Sequence, residues 1–119
     1  DTLLKFGVEP EDIIVEHVPG SFELTYGAKL LIEKANLDSV IILGCVIQGE
    51  TPHFTFVCES VTQGSTQLNL QYNVPVVFGL LTTNTLDQAK ARSGGRHGNK
   101  GDEAAITALK MITLHTKYQ

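Results

Sequence analysis

The residues with the clearest chemical potential lie in the segment Gly49–His53, which reads Gly-Glu-Thr-Pro-His. It follows an apolar run and precedes a helical pattern, so free backbone N–H groups and the positive end of a helix dipole would favour a phosphate there. Thr51 adds a hydroxyl donor. The same field disfavours imidazolium at His53, which would leave a neutral ring able to accept a proton. The alternative is a loop histidine that only ties down its own helix turn, and spacing alone weighs the two equally.

A second candidate is a cluster of cations in an otherwise acidic chain. Four of the nine Lys and Arg side chains fall between Lys90 and Lys100, among several glycines. A planar guanidinium can hold a phosphate through two parallel hydrogen bonds, so Arg92 is a candidate anion clamp and Lys100 a supporting point charge. Without other support, a solvated turn between two helices is the stronger interpretation of this cluster.

Other side chains carry weaker signals. Glu23 lies in a predicted first helical turn, where the helix dipole explains a carboxylate as well as binding of substrate hydroxyls would. Phe22 and Phe78 are more typical of core positions, and Cys45 and Cys58 are predicted to be free thiols that pack. The four histidines show no ligand pair at helical spacing, so we expect no metal site.

Hydrophobic residues alternate between two periods along the chain, which predicts parallel strands joined by helical crossovers and hence an α/β sandwich. Thr51 is predicted to cap a helix with Pro52 at its first position, and Thr85 opens another with a capping box. The predicted strands are Ile13–Val15, 40–43 and 76–81, the second of them buried between two helical layers. The predicted helices are residues 24–35, 51–72, 85–92 and 104–112. Ligands would bind beyond the carboxyl ends of the strands, in the loops 19–23, 48–53 and after residue 81.

Length and composition exclude several classes of protein. A chain of 119 residues, 42% hydrophobic and 18% charged, is expected to form one folded domain. A net charge of -4 makes nucleic acid an unfavourable partner. The longest apolar stretches are far shorter than a membrane span. No signal peptide is visible and two cysteines are too few for a disulfide scaffold, so we expect a cytoplasmic protein.

Three motifs occur in order: Val-Pro-Gly-Ser-Phe-Glu-Leu at 18–24, Gly-Cys-Val-Ile-Gln-Gly-Glu-Thr-Pro-His-Phe at 44–54, and Ala-Arg-Ser-Gly-Gly-Arg-His-Gly-Asn-Lys-Gly at 91–101. With them the chain closely resembles the 6,7-dimethyl-8-ribityllumazine synthase family. The resemblance implies a three-layer α/β/α sandwich around a flavodoxin-like, four-stranded parallel sheet of order 2-1-3-4. It also implies that residues 1–119 are one such domain without its N-terminal strand and most of its first helix. That absent segment would include an aromatic side chain that stacks on the pyrimidine.

The resemblance implies a transferase of riboflavin biosynthesis. It would condense 5-amino-6-(D-ribitylamino)uracil with 3,4-dihydroxy-2-butanone 4-phosphate, giving 6,7-dimethyl-8-ribityllumazine, phosphate and water, with no cofactor or metal. His53 matches the proton-transfer histidine and Arg92 a phosphate-binding arginine supplied by a neighbouring subunit. The backbone of Gly49 and Glu50, with Thr51, matches the rest of that anion site. The remaining matches, all to substrate-binding positions, are Ser21, Phe22, Glu23, Val46, Ile47, Phe78 and Lys100.

The resemblance also implies a homo-oligomer. The short stretch 94–101 is similar to the linker of members that assemble pentamers into shells of sixty subunits with icosahedral symmetry, with riboflavin synthase as a candidate cargo. Gln48 departs from the family, since relatives generally have Lys or Arg there. Together with the absent N-terminal segment, that departure leaves a catalytically impaired, lumazine- or flavin-binding shell protein as the alternative.

Overall fold

Two parallel strands form the centre of the computed structural model, which describes residues 1–119. β1 (Val40–Ile47) and β2 (Val76–Thr83) pair in register, from Val40 opposite Val76 to Ile47 opposite Thr83. The helices are α1 (Thr2–Lys5), α2 (Leu24–Lys34), α3 (His53–Gln71), α4 (Leu86–Ala91) and α5 (Lys100–Lys117). An antiparallel hairpin of β3 (Ser93–Gly95) and β4 (Gly98–Asn99) joins α4 to α5, and single 3₁₀ turns occupy Pro10–Asp12 and Ser21–Glu23.

The larger core lies on the face of the sheet that carries the even-numbered residues of both strands. Val40, Ile42, Val76 and Leu80 of the strands are buried there against α2 and α3. Val61 of α3 is fully buried at the centre of this cluster. Full burial of an aliphatic side chain contributes about 1.5–3 kcal/mol, so this face supplies much of the stability. It also fixes the start of α3 relative to the end of β1.

The opposite face of the sheet is covered only in part. Val77 packs against the small side chains Ala104 and Ala108 of α5, which lies over β2. The side chains that follow Ile41 on this face of β1 are uncovered. Leu43 is 56% exposed and Ile47 is 39% exposed. The expectation that this strand is buried between two helical layers is therefore wrong for its second half, because the helices on this face leave Leu43 and Ile47 exposed.

The structure confirms the α/β class, the parallel sheet and the helices on both of its faces. The predicted strand at Ile13–Val15 is wrong: the segment forms no strand, and Ile14 and Val15 are exposed. In the expected order 2-1-3-4, another strand lies between the Ile13–Val15 segment and β1. No residue of this chain forms that intervening strand. The sheet consequently has two strands rather than the three expected within residues 1–119, and the edge of β1 opposite β2 is unpaired.

Most predicted helix boundaries are confirmed. Thr85 caps α4, since its hydroxyl accepts a hydrogen bond from the backbone N–H of Gln88 at 3.1 Å. The helix predicted from Thr51 begins two residues later, at His53, with Pro52 in the cap position. Thr51 Oγ1 still accepts the N–H of His53, at 3.4 Å. No helix of the chain combines the length and apolarity that crossing a membrane requires.

The packing of α3 against α2 can be tested at Gly64, where the two helices cross closely. A Cβ built on Gly64 would lie 2.2 Å from Thr25 Oγ1 and 2.7 Å from Thr25 Cγ2. We expect Gly64→Ala to destabilise the fold by about 1–3 kcal/mol, although alanine is the better helix former by about 1 kcal/mol. Urea denaturation followed by circular dichroism, at one fixed protein concentration, measures the change.

The control is the same substitution in a Thr25→Ala background, where both of the closest side-chain atoms are gone. There the cost of Gly64→Ala should shrink, because only the Cβ of residue 25, at 2.9 Å, remains in the way. A Gly64→Ala single variant as stable as the parent chain would show that the helices do not cross this closely.

Candidate active site

The turn Ser21–Glu23 lies over the carboxyl half of β1 because Gly44 leaves room for it. A Cβ on Gly44 would lie 3.0 Å from Ser21 Oγ and 2.8 Å from a methyl group of Leu80. The turn also contacts α3. Ser21 is half-buried, whereas the side chains of Phe22 and Glu23 are exposed beside the end of the strand. This arrangement leaves an aromatic ring and a carboxylate free to contact a ligand.

The end of β1 presents two neighbouring side chains to opposite faces of the sheet. Val46 packs against the larger core, and Ile47 lies on the partly uncovered face. After them, the backbone N–H of Gln48 donates to the carbonyl of Thr83 at 2.9 Å, which extends the strand pairing by one bond. The loop that follows is thus held at the carboxyl edge of the sheet.

The loop after β1 ends at the first residue of the 19-residue helix α3. Gly49, Glu50, Thr51 and His53 are all exposed. The first backbone N–H groups of a helix have no partner within the helix, so this end of α3 can receive an anion beside the imidazole of His53. A Cβ on Gly49 would meet nothing within 4 Å, so open space adjoins the loop.

Arg92 is held where α4 ends. Its Nη1 donates to the carbonyl of Gln88 at 2.9 Å, and its own carbonyl accepts from the N–H of Lys100 at 2.8 Å. A guanidinium carries five N–H donors, so most of them stay available for a ligand. The side chain is half-buried and lines a cavity of about 290 Å³ beside the carboxyl half of β2, together with Lys100.

The hairpin before α5 needs glycine at two positions. Gly94 and Gly98 adopt φ values of +106° and +87°, in the left-handed region that side chains disfavour. Asn99 then caps α5, accepting the N–H of Asp102 at 3.0 Å. The predicted solvated turn is therefore a defined hairpin that fixes Arg92 and Lys100 relative to each other.

Phe78 lines a larger cavity of about 700 Å³ along the free edge of β2. Lys100 borders this cavity as well as the smaller one. Sequence reasoning missed Glu103, which follows Lys100 by one helical turn and borders both cavities too, and His97 in the smaller one. The one-turn spacing from Lys100 was the available signal for Glu103.

The structure divides the predicted site residues into two groups. The first surrounds the end of β1 and the start of α3, and consists of Ser21, Phe22, Glu23, Val46, Ile47, Gly49, Glu50, Thr51 and His53. The second lies on the free side of β2, and consists of Phe78, Arg92 and Lys100. No residue of the first group lines either of these two cavities.

No cluster of three or more His, Cys, Asp or Glu side chains is arranged to hold a metal ion. Both cysteines are free. Desolvation by burial raises the pKa of the Cys58 thiol, so this group is protonated at neutral pH. The residues around His53 and those around Arg92 can therefore bind an anion, form hydrogen bonds and transfer protons.

Comparison with known proteins bears on this arrangement. The family model described as 6,7-dimethyl-8-ribityllumazine synthase matches residues 1–116. A protein of that name from Parabacteroides distasonis is 63% identical over 114 residues, which cover 96% of this chain and 71% of the relative. Relatives of the same name from Porphyromonas gingivalis and Bacteroides fragilis are 60% and 59% identical, over 96% and 93% of this chain and 71% and 78% of their own lengths.

Proposed function

The chain belongs to the 6,7-dimethyl-8-ribityllumazine synthase family of riboflavin-biosynthesis transferases, and we propose that its two groups of site residues form one active site between neighbouring copies. The reaction joins 5-amino-6-(D-ribitylamino)uracil to 3,4-dihydroxy-2-butanone 4-phosphate and releases 6,7-dimethyl-8-ribityllumazine, phosphate and water. The observation that supports the shared site is that Arg92 and Lys100 line cavities that none of the residues around His53 lines.

The chemistry requires two substrates to be aligned and protons to be moved. An amine adds to a ketone and an imine forms with loss of water, after which phosphate is eliminated. That elimination removes the proton from the neighbouring hydroxyl-bearing carbon and leaves an enol, which tautomerises to a new carbonyl. The second amine nitrogen then closes the ring on this carbonyl, with loss of another water. Alignment of two reactants can supply an effective concentration of about 10⁵ M or more, whereas a positioned acid–base group gives about 10²–10⁴-fold. Alignment is accordingly the larger contribution expected from this site.

The phosphate would be bound from two sides. On one side are the backbone N–H groups of Gly49 and Glu50, the hydroxyl of Thr51 and the positive end of the α3 dipole. On the other side is Arg92 of the neighbouring copy, whose anchoring to the Gln88 carbonyl still leaves donors for a two-pronged contact. Binding the leaving group in this way orients the butanone and stabilises the phosphate as it departs.

His53 would move protons beside that anion site. Its imidazole is exposed at the first residue of α3, next to the loop that binds the phosphate. Imidazole can accept and return a proton near neutral pH, as imine formation and phosphate elimination both require.

The ribitylaminouracil would be bound by the remaining residues of both groups. Ser21 and Glu23 offer groups that hydrogen-bond the ribityl hydroxyls, and Phe22 offers an exposed aromatic face. Val46 and Ile47 would lie beside the pyrimidine, while Phe78 and Lys100 would reach it from the neighbouring copy. The 700 Å³ cavity at Phe78 leaves room for part of this substrate.

The amount of exposed surface supports an oligomer. The chain exposes 8226 Å², whereas a folded monomer of this mass exposes about 6,300 Å². Part of this excess is the uncovered face and unpaired edge of β1. Apolar side chains away from that strand contribute too, including Tyr26 and Leu30 of α2 and Phe22 in the turn before it. We propose a homo-pentamer, in which five copies of the shared site form between neighbours.

The compact hairpin supports a larger assembly of these pentamers. Gly94 and Gly98 turn the chain tightly between α4 and α5, so no bulky insertion stands in the way of a neighbouring pentamer. The proposal is an icosahedral shell of sixty subunits, with riboflavin synthase, which consumes the product, as its candidate cargo. The free thiols Cys45 and Cys58 are consistent with the proposed cytoplasmic location.

The first prediction concerns the chemistry itself. The unmodified enzyme should form the lumazine product from the two substrates with stoichiometric phosphate release, and His53→Ala should slow single-turnover product formation by about 10²-fold without abolishing it. The loss is partial because alignment of the substrates is retained. Full single-turnover rate in His53→Ala would remove the assigned role. Substrate binding without product in the unmodified enzyme would favour the impaired shell protein.

The second prediction concerns the shared site. Subunits carrying His53→Ala and subunits carrying Arg92→Ala, unfolded together and refolded as a mixture, should be more active than either variant refolded alone. About a quarter of the interfaces in a random mixture combine an intact His53 with an intact Arg92. The control mixes separately refolded variants without unfolding. If co-refolding restores no activity above that control, both residues act within one chain.

The third prediction concerns assembly. Multi-angle light scattering of the purified protein should give the mass of a sixty-subunit particle, because the short hairpin permits close approach of pentamers. A matched variant with four glycine or serine residues inserted between Gly94 and Gly95 should shift the particles to pentamers. A pentamer-sized mass for the unmodified protein would refute the shell.

A further inference from the structure

Asn69, near the end of α3, makes the most specific contact in the structure that the proposed site does not use. Its Nδ2 donates to the carbonyl of Val76 at 2.9 Å, and its Oδ1 accepts the N–H of Val76 at 2.7 Å. The same Nδ2 donates to the carbonyl of Ser65, one turn back in the helix, at 3.0 Å. The carboxamide thus pairs with Val76 through both backbone groups, as a neighbouring strand would.

The bonds to Val76 lie on the outer edge of β2. The carbonyls of Pro75 and Thr83 both accept hydrogen bonds from the β1 side, so the odd-numbered residues of β2 face β1. Backbone groups alternate in direction along a strand, which leaves those of the even-numbered residues facing outward. Asn69 occupies the first outward pair, at Val76, and the next outward pair belongs to Phe78.

The start of β2 is consequently held from both sides. On the inner side the Pro75 carbonyl accepts from Ser39 Oγ and from the N–H of Val40, both at 2.9 Å. On the outer side Asn69 holds the following residue. Phe78 comes two residues later and borders the 700 Å³ cavity that Asn69 also borders.

The hydrogen bonds of Asn69 to Val76 contribute little to the stability of the fold. The outward edge of β2 is open, so water could satisfy both Val76 groups if the carboxamide were absent. An intramolecular hydrogen bond that replaces one to water contributes only about 0.5–1.5 kcal/mol. Water cannot hold the strand in a fixed position. A carboxamide that is itself hydrogen-bonded to the Ser65 carbonyl can do so. Placement of the strand is thus the stronger role for the residue.

We propose that Asn69 is a positioning residue of the active site: by pairing with Val76 it fixes β2 so that Phe78 meets the ribitylaminouracil in the correct place. The inference rests on the proposed function, in which Phe78 contacts that substrate. The effect should therefore fall on one substrate only. The phosphate-binding groups around Thr51 and Arg92 lie at the carboxyl end of the sheet, away from the start of β2.

The test compares Asn69→Ala with Asn73→Ala in the intact enzyme. Asn73 borders the same cavity but makes no side-chain hydrogen bond. For Asn69→Ala we expect the KM for ribitylaminouracil to rise about tenfold, with kcat and the KM for the butanone phosphate changed less than twofold. Asn73→Ala should change none of them. In Asn69→Ala, hydrogen–deuterium exchange should speed up at the amide of Val76.

Asn69→Asp keeps the acceptor for the Val76 N–H and loses the donor, so a smaller rise in KM is expected. If Asn69→Ala is poorly folded, the KM of Asn69→Asp for ribitylaminouracil tests the proposal instead. An unchanged KM for ribitylaminouracil in the folded variants, or a fall in kcat alone that matches lost folded protein, would overturn the proposal. Failure of the unmodified enzyme to form product would refute the proposed function instead, and amide exchange would still report whether Asn69 holds the strand.

Discussion

The in-register pairing of β1 with β2 is the constraint on which the rest of the structure depends. It runs from Val40 opposite Val76 to Ile47 opposite Thr83, and one further bond joins Gln48 to the Thr83 carbonyl. Because the strands are parallel, both of their carboxyl ends reach the same edge of the sheet. The loop leading to His53 and the segment leading to Arg92 both start from that edge. A shift of register would change the relative position of every candidate site residue.

The two groups of site residues diverge from that common edge for a physical reason. Helix α3 crosses back over the face that carries the larger core, so His53 starts on that side of the sheet. Helix α5 packs on the other face and over β2, where Val77 meets Ala104, and the hairpin before it places Arg92 beside the free edge of β2. The two groups are thus carried by elements on opposite faces of the sheet. The proposed sharing of the site between copies would bring the two groups together.

Much of the fold could be predicted from hydrophobic period and local capping. The stripe Val57, Val61 and Leu68 is buried as expected, and Thr85 caps its helix through its own hydroxyl. These features depend on residues close in sequence, so the sequence carries their signal directly. The strand predicted at Ile13–Val15 failed because a strand needs a partner, and a β-branched run cannot reveal whether a partner backbone is available.

The candidate site, like the fold, could be predicted only in those parts that depend on residues close in sequence. Residue types and motif spacing were enough to single out His53, Thr51 and Arg92, because anion binding at a helix start and by a guanidinium are local chemical properties. Only the tertiary structure placed Arg92 at a cavity that His53 and Thr51 do not line, Glu103 with Lys100 at both cavities, and Asn69 against the outward backbone groups of Val76. Each of those facts depends on how helices pack over a sheet, and packing brings together residues whose separation along the chain gives no sign of their contact.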